Sequence, residues 1–244
     1  MRFITACWRI GRGALHVVHG LLVVAFRFHA LDAHQRMSRV QWWSVKLLHL
    51  LGIALKSEGT PRPGAKLLVA NHISWLDIVV INAVVPARFV SKSEVRQWPV
   101  VGWLVDAADT LYIERARPRD AMRVVHQMAE ALKAGDTLAV FPEGTTTDGH
   151  SLLPFHANLL QAAVATQSHV QPVALRFSDA ARRVSPAVAY IGDTSLLQSV
   201  LMVVTAEQLT AHVHLLGAEP TEDADRRAVS QRMRELIAAR LNAS

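Results

Sequence analysis

The chain has 244 residues, 51% hydrophobic, 19% charged and 6% aromatic, which suits one α/β domain with a modest helical addition and excludes low-complexity disorder. Cys7 is the single cysteine, so one chain holds neither a disulfide framework nor a Cys-based zinc site. The formal net charge of +6 belongs wholly to residues 1–60, with eight basic residues against two acidic ones, while residues 61–244 balance at eighteen of each.

Basic excess attracts polyanions, either nucleic acid or the anionic face of a membrane. Between Arg12 and Arg27 lie fourteen uncharged residues, and a second apolar stretch, Leu47 to Leu55, follows Trp42, Trp43 and Lys46. Trp and basic residues flanking short apolar runs suit the bilayer interface, where indole rings and alkyl stems enter lipid and charges face headgroups. Neither run reaches the roughly 20 charge-free apolar residues of a spanning helix. No small-x-small cleavage site marks a signal peptide. Arg9, Arg12 and Arg27 on an otherwise apolar segment argue against a buried core helix. Residues 1–60 are therefore expected to form a membrane-interface helical pair, with an anionic membrane surface as partner and no nucleic acid.

Residues 56–66, with two prolines and two glycines, read as a linker into a second region, 61–244. Strands are predicted at 67–70, 88–91, 110–114, 137–141 and 170–177, with weaker candidates at 187–191 and 211–216. Pro118 to Ala134 carries Met122, Val125, Met128, Ala129 and Leu132 at helical spacing, with Gly135 just past its end. A charged amphipathic helix is predicted over 221–241. Strands alternating with helices of this length predict an α/β fold, a mainly parallel sheet flanked by helices, with ligands gathered at the strand exits. His212 and His214 share a strand face without a third ligand, so a solvent-facing strand is expected there and no metal site.

Two strand exits carry chemistry. The first is Asn71-His72-Ile73-Ser74-Trp75-Leu76-Asp77. A helix amino terminus disfavours imidazolium, which suits a ring that accepts a proton. On a regular helix His72 and Asp77 would point about 140° apart. Asp77 can orient the imidazole only if the chain turns irregularly before the helix; otherwise Ser74-x-x-Asp77 is simply a capping pattern. The second exit is Phe141-Pro142-Glu143-Gly144-Thr145-Thr146-Thr147. Gly144 permits close backbone approach, and the threonines and backbone N–H groups can cradle an oxyanion. Glu143 fits an anion site only by binding a hydroxyl or organising an arginine, for which Arg115 at the end of a neighbouring strand is the candidate.

Asn-His-x4-Asp at 71–77 followed by Phe-Pro-Glu-Gly-Thr at 141–145 resembles the glycerophospholipid acyltransferase family, whose best-known members are the 1-acyl-sn-glycerol-3-phosphate acyltransferases. Tyr112-Ile113-Glu114-Arg115 and Gln171-Pro172-Val173-Ala174-Leu175 resemble its second and fourth blocks, so the likeness covers about residues 60–177. The resemblance implies a membrane-associated O-acyltransferase at the cytoplasmic face of a bacterial inner membrane. Its donor would be acyl-CoA or acyl-acyl carrier protein. Its acceptor would be a lysolipid hydroxyl, first of all 1-acyl-sn-glycerol-3-phosphate. His72 would be the base and Asp77 its orienting group. Arg115, Glu143, Gly144 and Thr145 would hold the acceptor headgroup, Asn71 would support the turn or the oxyanion, and neither metal nor cofactor is implied. Two departures from the family pattern concern the acceptor. Thr146 stands where the commonest phosphatidate-forming members have arginine, and Asp109 stands where a glycine opens the second block. They keep open another lysolipid such as lyso-ornithine lipid. A catalytically silent lipid-binding protein is the alternative outside enzymes.

Overall fold

A computed structural model describes residues 2–114 and 118–243. The amino-terminal quarter is two helices, α1 (Arg2–Arg27) and α2 (Ala33–Leu51). Asp32 starts α2 with a capping box, its Oδ1 accepting the Gln35 N–H at 2.8 Å, and Gly52 ends it at φ +79°. The helices meet over small residues: a Cβ on Gly20 would lie 2.6 Å from Trp43 Nε1.

Their apolar faces have different fates. Leu47, Leu48, Leu50 and Leu51 of α2 are buried in the core, so the second apolar stretch is not at a membrane interface. It even splits, because after Gly52 the chain becomes strand β1 (Ala54–Glu58). Residues 56–58, expected in a linker, therefore belong to the sheet. In α1, by contrast, Ile4, Trp8, Leu15, Val18, Leu22 and Phe26 are all exposed. At 100° per residue they fall on one stripe about 80° wide.

The remaining elements are β2 (Lys66–Ala70), α3 (Leu76–Val84), β3 (Arg88–Lys92), α4 (Val101–Ala107), β4 (Leu111–Ile113), α5 (Pro118–Lys133), β5 (Thr137–Val140), α6 (Gln161–Ala165), β6 (His169–Ser178), α7 (Leu196–Thr205), β7 (Thr210–Leu215) and α8 (Arg226–Ala243). The seven strands lie in the order β1-β7-β6-β2-β5-β3-β4. Only the β6–β7 pairing is antiparallel. One face of the sheet packs on α1, α2, α3 and α7, the other on α5, α6 and α8. Every residue of β2 is buried, as a parallel strand covered on both sides requires.

The strand expected at 187–191 is absent. Pro186–Val188 forms a single 3₁₀ turn, and the backbone that follows bonds to loops rather than to a ladder: Tyr190 N–H donates to the Ile73 carbonyl at 3.2 Å. The arrangement of β2 matters most for function. Its successor β3 lies on one side beyond β5, and β6 lies on the other, so the carboxyl end of β2 is a switch point where an open sheet leaves a crevice. The exits of β2 and β5 emerge there side by side.

Candidate active site

The chain leaves β2 at Asn71 and does not become α-helical until Leu76. That irregular stretch brings Asp77 to His72: Nδ1 lies 2.8 Å from Asp77 Oδ2. The same oxygen accepts the N–H groups of Ile73 at 2.6 Å and Ser74 at 2.9 Å. The capping and orienting roles are thus one arrangement, since a single oxygen gathers the helix start and the imidazole. Asp77 is wholly buried, whereas the His72 side chain keeps 19% of its surface exposed. Against an ionised carboxylate, which only accepts, a neutral imidazole donates through Nδ1 and keeps the Nε2 lone pair for a substrate. The ring stacks on Phe141, 4.0 Å between centroids and 9° from parallel, and Phe141 stacks in turn near Phe89.

Asn71 is 1% exposed and faces β6, not a ligand. Its Nδ2 donates to the Leu175 carbonyl at 3.0 Å and its Oδ1 accepts the Leu175 N–H at 2.8 Å. The side chain continues the β2–β6 pairing by one step and anchors the turn. Of its two expected roles, the structure assigns support of the turn.

Glu143 has a role that the sequence did not suggest. Its Oε1 accepts the His72 N–H at 2.7 Å and its Oε2 accepts the Leu153 N–H at 2.8 Å. Burial pushes its carboxyl above the usual range, although those two bonds pull the other way. Almost fully buried and with each oxygen accepting a backbone N–H, Glu143 is a strut between the loops. Thr147 adds to the tie, donating through N–H at 2.8 Å and Oγ1 at 3.2 Å to the His72 carbonyl. Thr146 Oγ1 donates to the Tyr190 carbonyl. Gly144 sits at φ +75°, a conformation that favours glycine, and Thr145 beside it is exposed. Arg115 lies outside the described residues. Asp109 adopts φ +51°, which explains why a glycine is the alternative there: the position selects backbone conformation, and Asp tolerates it.

His214 is buried, contrary to the expected solvent-facing strand. Its Nδ1 lies 3.2 Å from Glu58 Oε2 on β1, the edge strand missing from the sequence reading, and close to Arg240. His212 bonds Ser178 Oγ at 2.8 Å. Among the described residues no three His, Cys, Asp or Glu side chains are grouped as metal ligands. Sequence reasoning also passed over Phe141 and Tyr190 as parts of the site; an aromatic residue at the end of a strand beside the histidine was the available signal for the first.

An imidazole held by a buried carboxylate at a sheet crevice is an arrangement that can serve as a general base. The comparisons with known proteins agree on the class. A family model described as Acyltransferase matches residues 54–176. The chain is 37% identical over 206 residues to a lyso-ornithine lipid O-acyltransferase of Pseudomonas aeruginosa, covering 83% of this chain and 77% of that protein. It is 34% identical over 190 residues to a 1-acyl-sn-glycerol-3-phosphate acyltransferase of Neisseria meningitidis, covering 78% and 74%. The crystal structure of the 1-acyl-sn-glycerophosphate acyltransferase from Thermotoga maritima superimposes with a TM-score of 0.69 at 20% identity, over 96% of this chain and 97% of that one, which supports the fold. The chain belongs to the glycerophospholipid acyltransferase family, and the enzyme is an acyltransferase. Residues 4–30 are long and apolar enough to cross a membrane, with 17% of their most apolar window buried. Together with these lipid-enzyme relatives, this marks a membrane-associated protein.

Proposed function

We propose that the enzyme moves a fatty acyl chain from an acyl thioester, acyl-CoA or acyl-acyl carrier protein, to the free hydroxyl of a lysolipid. The acceptor read first is 1-acyl-sn-glycerol-3-phosphate, giving phosphatidic acid. The observation that carries this is the 2.8 Å contact between His72 Nδ1 and the buried Asp77 carboxylate. Nε2 takes the proton of the lysolipid hydroxyl as its oxygen attacks the thioester carbonyl. The tetrahedral intermediate then expels the thiolate, which recovers that proton from the imidazolium, and ester and thiol leave. No acyl-enzyme and no cofactor enters this sequence. An alcohol is a weak nucleophile at neutral pH, and a positioned neutral imidazole remedies that. Asp77 stabilises the transient imidazolium. Arg115, Gly144 and Thr145 would hold the acceptor headgroup, while Asn71 and Glu143 position the loop that bears His72.

A second acceptor, lyso-ornithine lipid, is favoured by Thr146: its hydroxyl bonds to Tyr190, so that place offers no cation to a phosphomonoester. The relative from Pseudomonas aeruginosa bears that substrate in its name. The test is acyl transfer by the purified protein to a panel of lysolipids with both donors. Transfer to lysophosphatidic acid supports the first reading. Transfer to lyso-ornithine lipid alone selects the second. Transfer to none, with both donors, overturns both.

We place the α1 stripe on the membrane, at the cytoplasmic face of a bacterial inner membrane. Trp8, with Arg12 over its ring at 5.5 Å, suits the headgroup layer. Leu15→Asp with Leu22→Asp should abolish co-sedimentation with anionic vesicles while the fold stays intact, because both positions are already exposed. Unchanged binding would locate the membrane contact elsewhere.

A further inference from the structure

A cavity of about 980 Å³ opens beside the loop that leaves β5, on the α8 side of the sheet. Its walls include Arg176 of β6, Arg182 and Arg183 of the segment that follows, Arg234 of α8, and Gly149 and His150. None of its lining residues is acidic.

Three of the four guanidinium groups, those of Arg176, Arg183 and Arg234, are held by neutral carbonyls. Arg176 Nη1 donates to the Arg183 carbonyl at 2.9 Å, Arg183 donates to Leu241, and Arg234 donates to the Leu152 and Leu153 carbonyls at 3.0 Å each. Among the described residues, the buried Arg176 Nε has no hydrogen-bond partner. Asp179, just past β6, accepts the backbone N–H groups of Ala181 and Arg182 and also attracts the Arg182 charge. Glu58 attracts Arg176 but is itself paired with Arg240 and His214. Carbonyl partners leave the positive charge in place, so four cations surround one cavity in a region, 61–244, whose formal charge sums to zero. Such a site calls for a multiply charged anion.

Three observations identify which anion. The arginines of β6 and α8 that line the cavity stand on the face of the sheet opposite α1 and its exposed apolar stripe, which argues against a bilayer surface as the ligand. It adjoins the catalytic turn: a Cβ on Gly149 would lie 3.2 Å from Ile73 Cδ1, next to His72. Arg234 also grips Leu153, whose N–H is bound to Glu143, whose other oxygen holds His72. Finally, the cavity flanks His72 on the β6 side, whereas β4, the strand that precedes the acceptor-binding arginine of the proposed function, is at the far end of the order β6-β2-β5-β3-β4. A reaction with two substrates and one base needs a second binding site, and the β6 flank offers one that does not compete with the β4 side.

Resting on the acyl-transfer reading, we propose that this cavity binds the phosphate-bearing end of the acyl thioester donor, the phosphopantetheine arm that coenzyme A and acyl carrier protein share. The test uses the full chain in detergent, with Arg182→Glu and, as a milder change, Arg182→Gln. Binding of unacylated coenzyme A is measured by calorimetry, and KM is measured separately for acyl-CoA, acyl-acyl carrier protein and the acceptor. The expected result is about tenfold weaker coenzyme A binding and an equal rise in the acyl-CoA KM, with the acceptor KM unchanged. A parallel rise for the carrier-protein donor assigns the effect to the shared phosphodiester, whereas a rise for acyl-CoA alone places the nucleotide phosphates there and overturns the assignment to the shared arm. Unchanged coenzyme A affinity in the folded variants overturns the proposal. So does a rise confined to the acceptor KM, or one confined to the carrier-protein donor, which would mean recognition of an acidic protein surface. If the wild type transfers no acyl chain to any lysolipid, the proposed function fails, while the coenzyme A titration still decides the cavity.

Discussion

Residues 71–77 leave β2 and residues 141–153 leave β5, its hydrogen-bonded neighbour, yet their polar side chains are used in opposite ways. In the first loop, one carboxylate oxygen of Asp77 collects two backbone N–H groups and the His72 ring, and the ring keeps one nitrogen toward the crevice. In the second, Glu143, Thr146 and Thr147 all bond to backbone of other segments, so that loop holds the first in place. On the proposed mechanism, reactivity and rigidity are divided between adjacent strand exits. A base must be held to a fraction of an ångström yet remain reachable, and one short loop cannot supply both the exposed ring and every support for it.

Removing the reactive half should have the largest effect. His72→Ala should lower turnover by about 10² to 10⁴ while the protein stays folded, because a general base contributes on that scale. Near-wild-type turnover in the folded variant would end the mechanism.

Asp77→Asn strikes the point where the two halves meet. An amide oxygen can still accept the three donors, but the charge facing the imidazolium is gone. The amide nitrogen would also occupy the buried position of Oδ1, which has no partner among the described residues. Turnover should fall at least about tenfold and stability by about 1–3 kcal/mol, read from steady-state kinetics and chemical unfolding. Lost stability with intact turnover would reduce Asp77 to a helix cap.

Glu143→Gln attacks the supporting half alone. An amide presents an NH₂ where one oxygen now accepts, so either the His72 or the Leu153 N–H loses its acceptor. Stability should fall by about 1–2 kcal/mol and kcat several-fold, with the acceptor KM nearly constant. A KM effect without a kcat effect would return Glu143 to the headgroup.

The smallest change is Thr146→Val, which removes the bond to the Tyr190 carbonyl. It should cost about 0.5–1.5 kcal/mol in unfolding free energy and leave kcat close to wild type. A large loss of turnover would show that the second loop is more than a support.

From sequence alone, composition and periodicity determined the α/β class and the central strands, and the family resemblance singled out His72, Asp77 and the second loop without deciding whether the two side chains meet. Those features are local or periodic: a buried strand shows as an unbroken apolar run such as Leu67–Ala70, and a site at a strand exit shows as polar residues directly after it. The tertiary structure alone decided the rest, because each remaining feature depends on partners far apart in the chain. β1 has an exposed, lysine-bearing sequence and is a strand only because β7 pairs with it. The apolar residues of α1 and α2 are alike in composition, and only packing separates the buried face from the exposed one. Asn71 and Glu143 resemble ligand-binding residues in sequence, and their partners Leu175 and Leu153 turn them into supports. The four arginines around the cavity are spread from 176 to 234 among residues of balanced charge, and only β6 and α8, packed together, gather them.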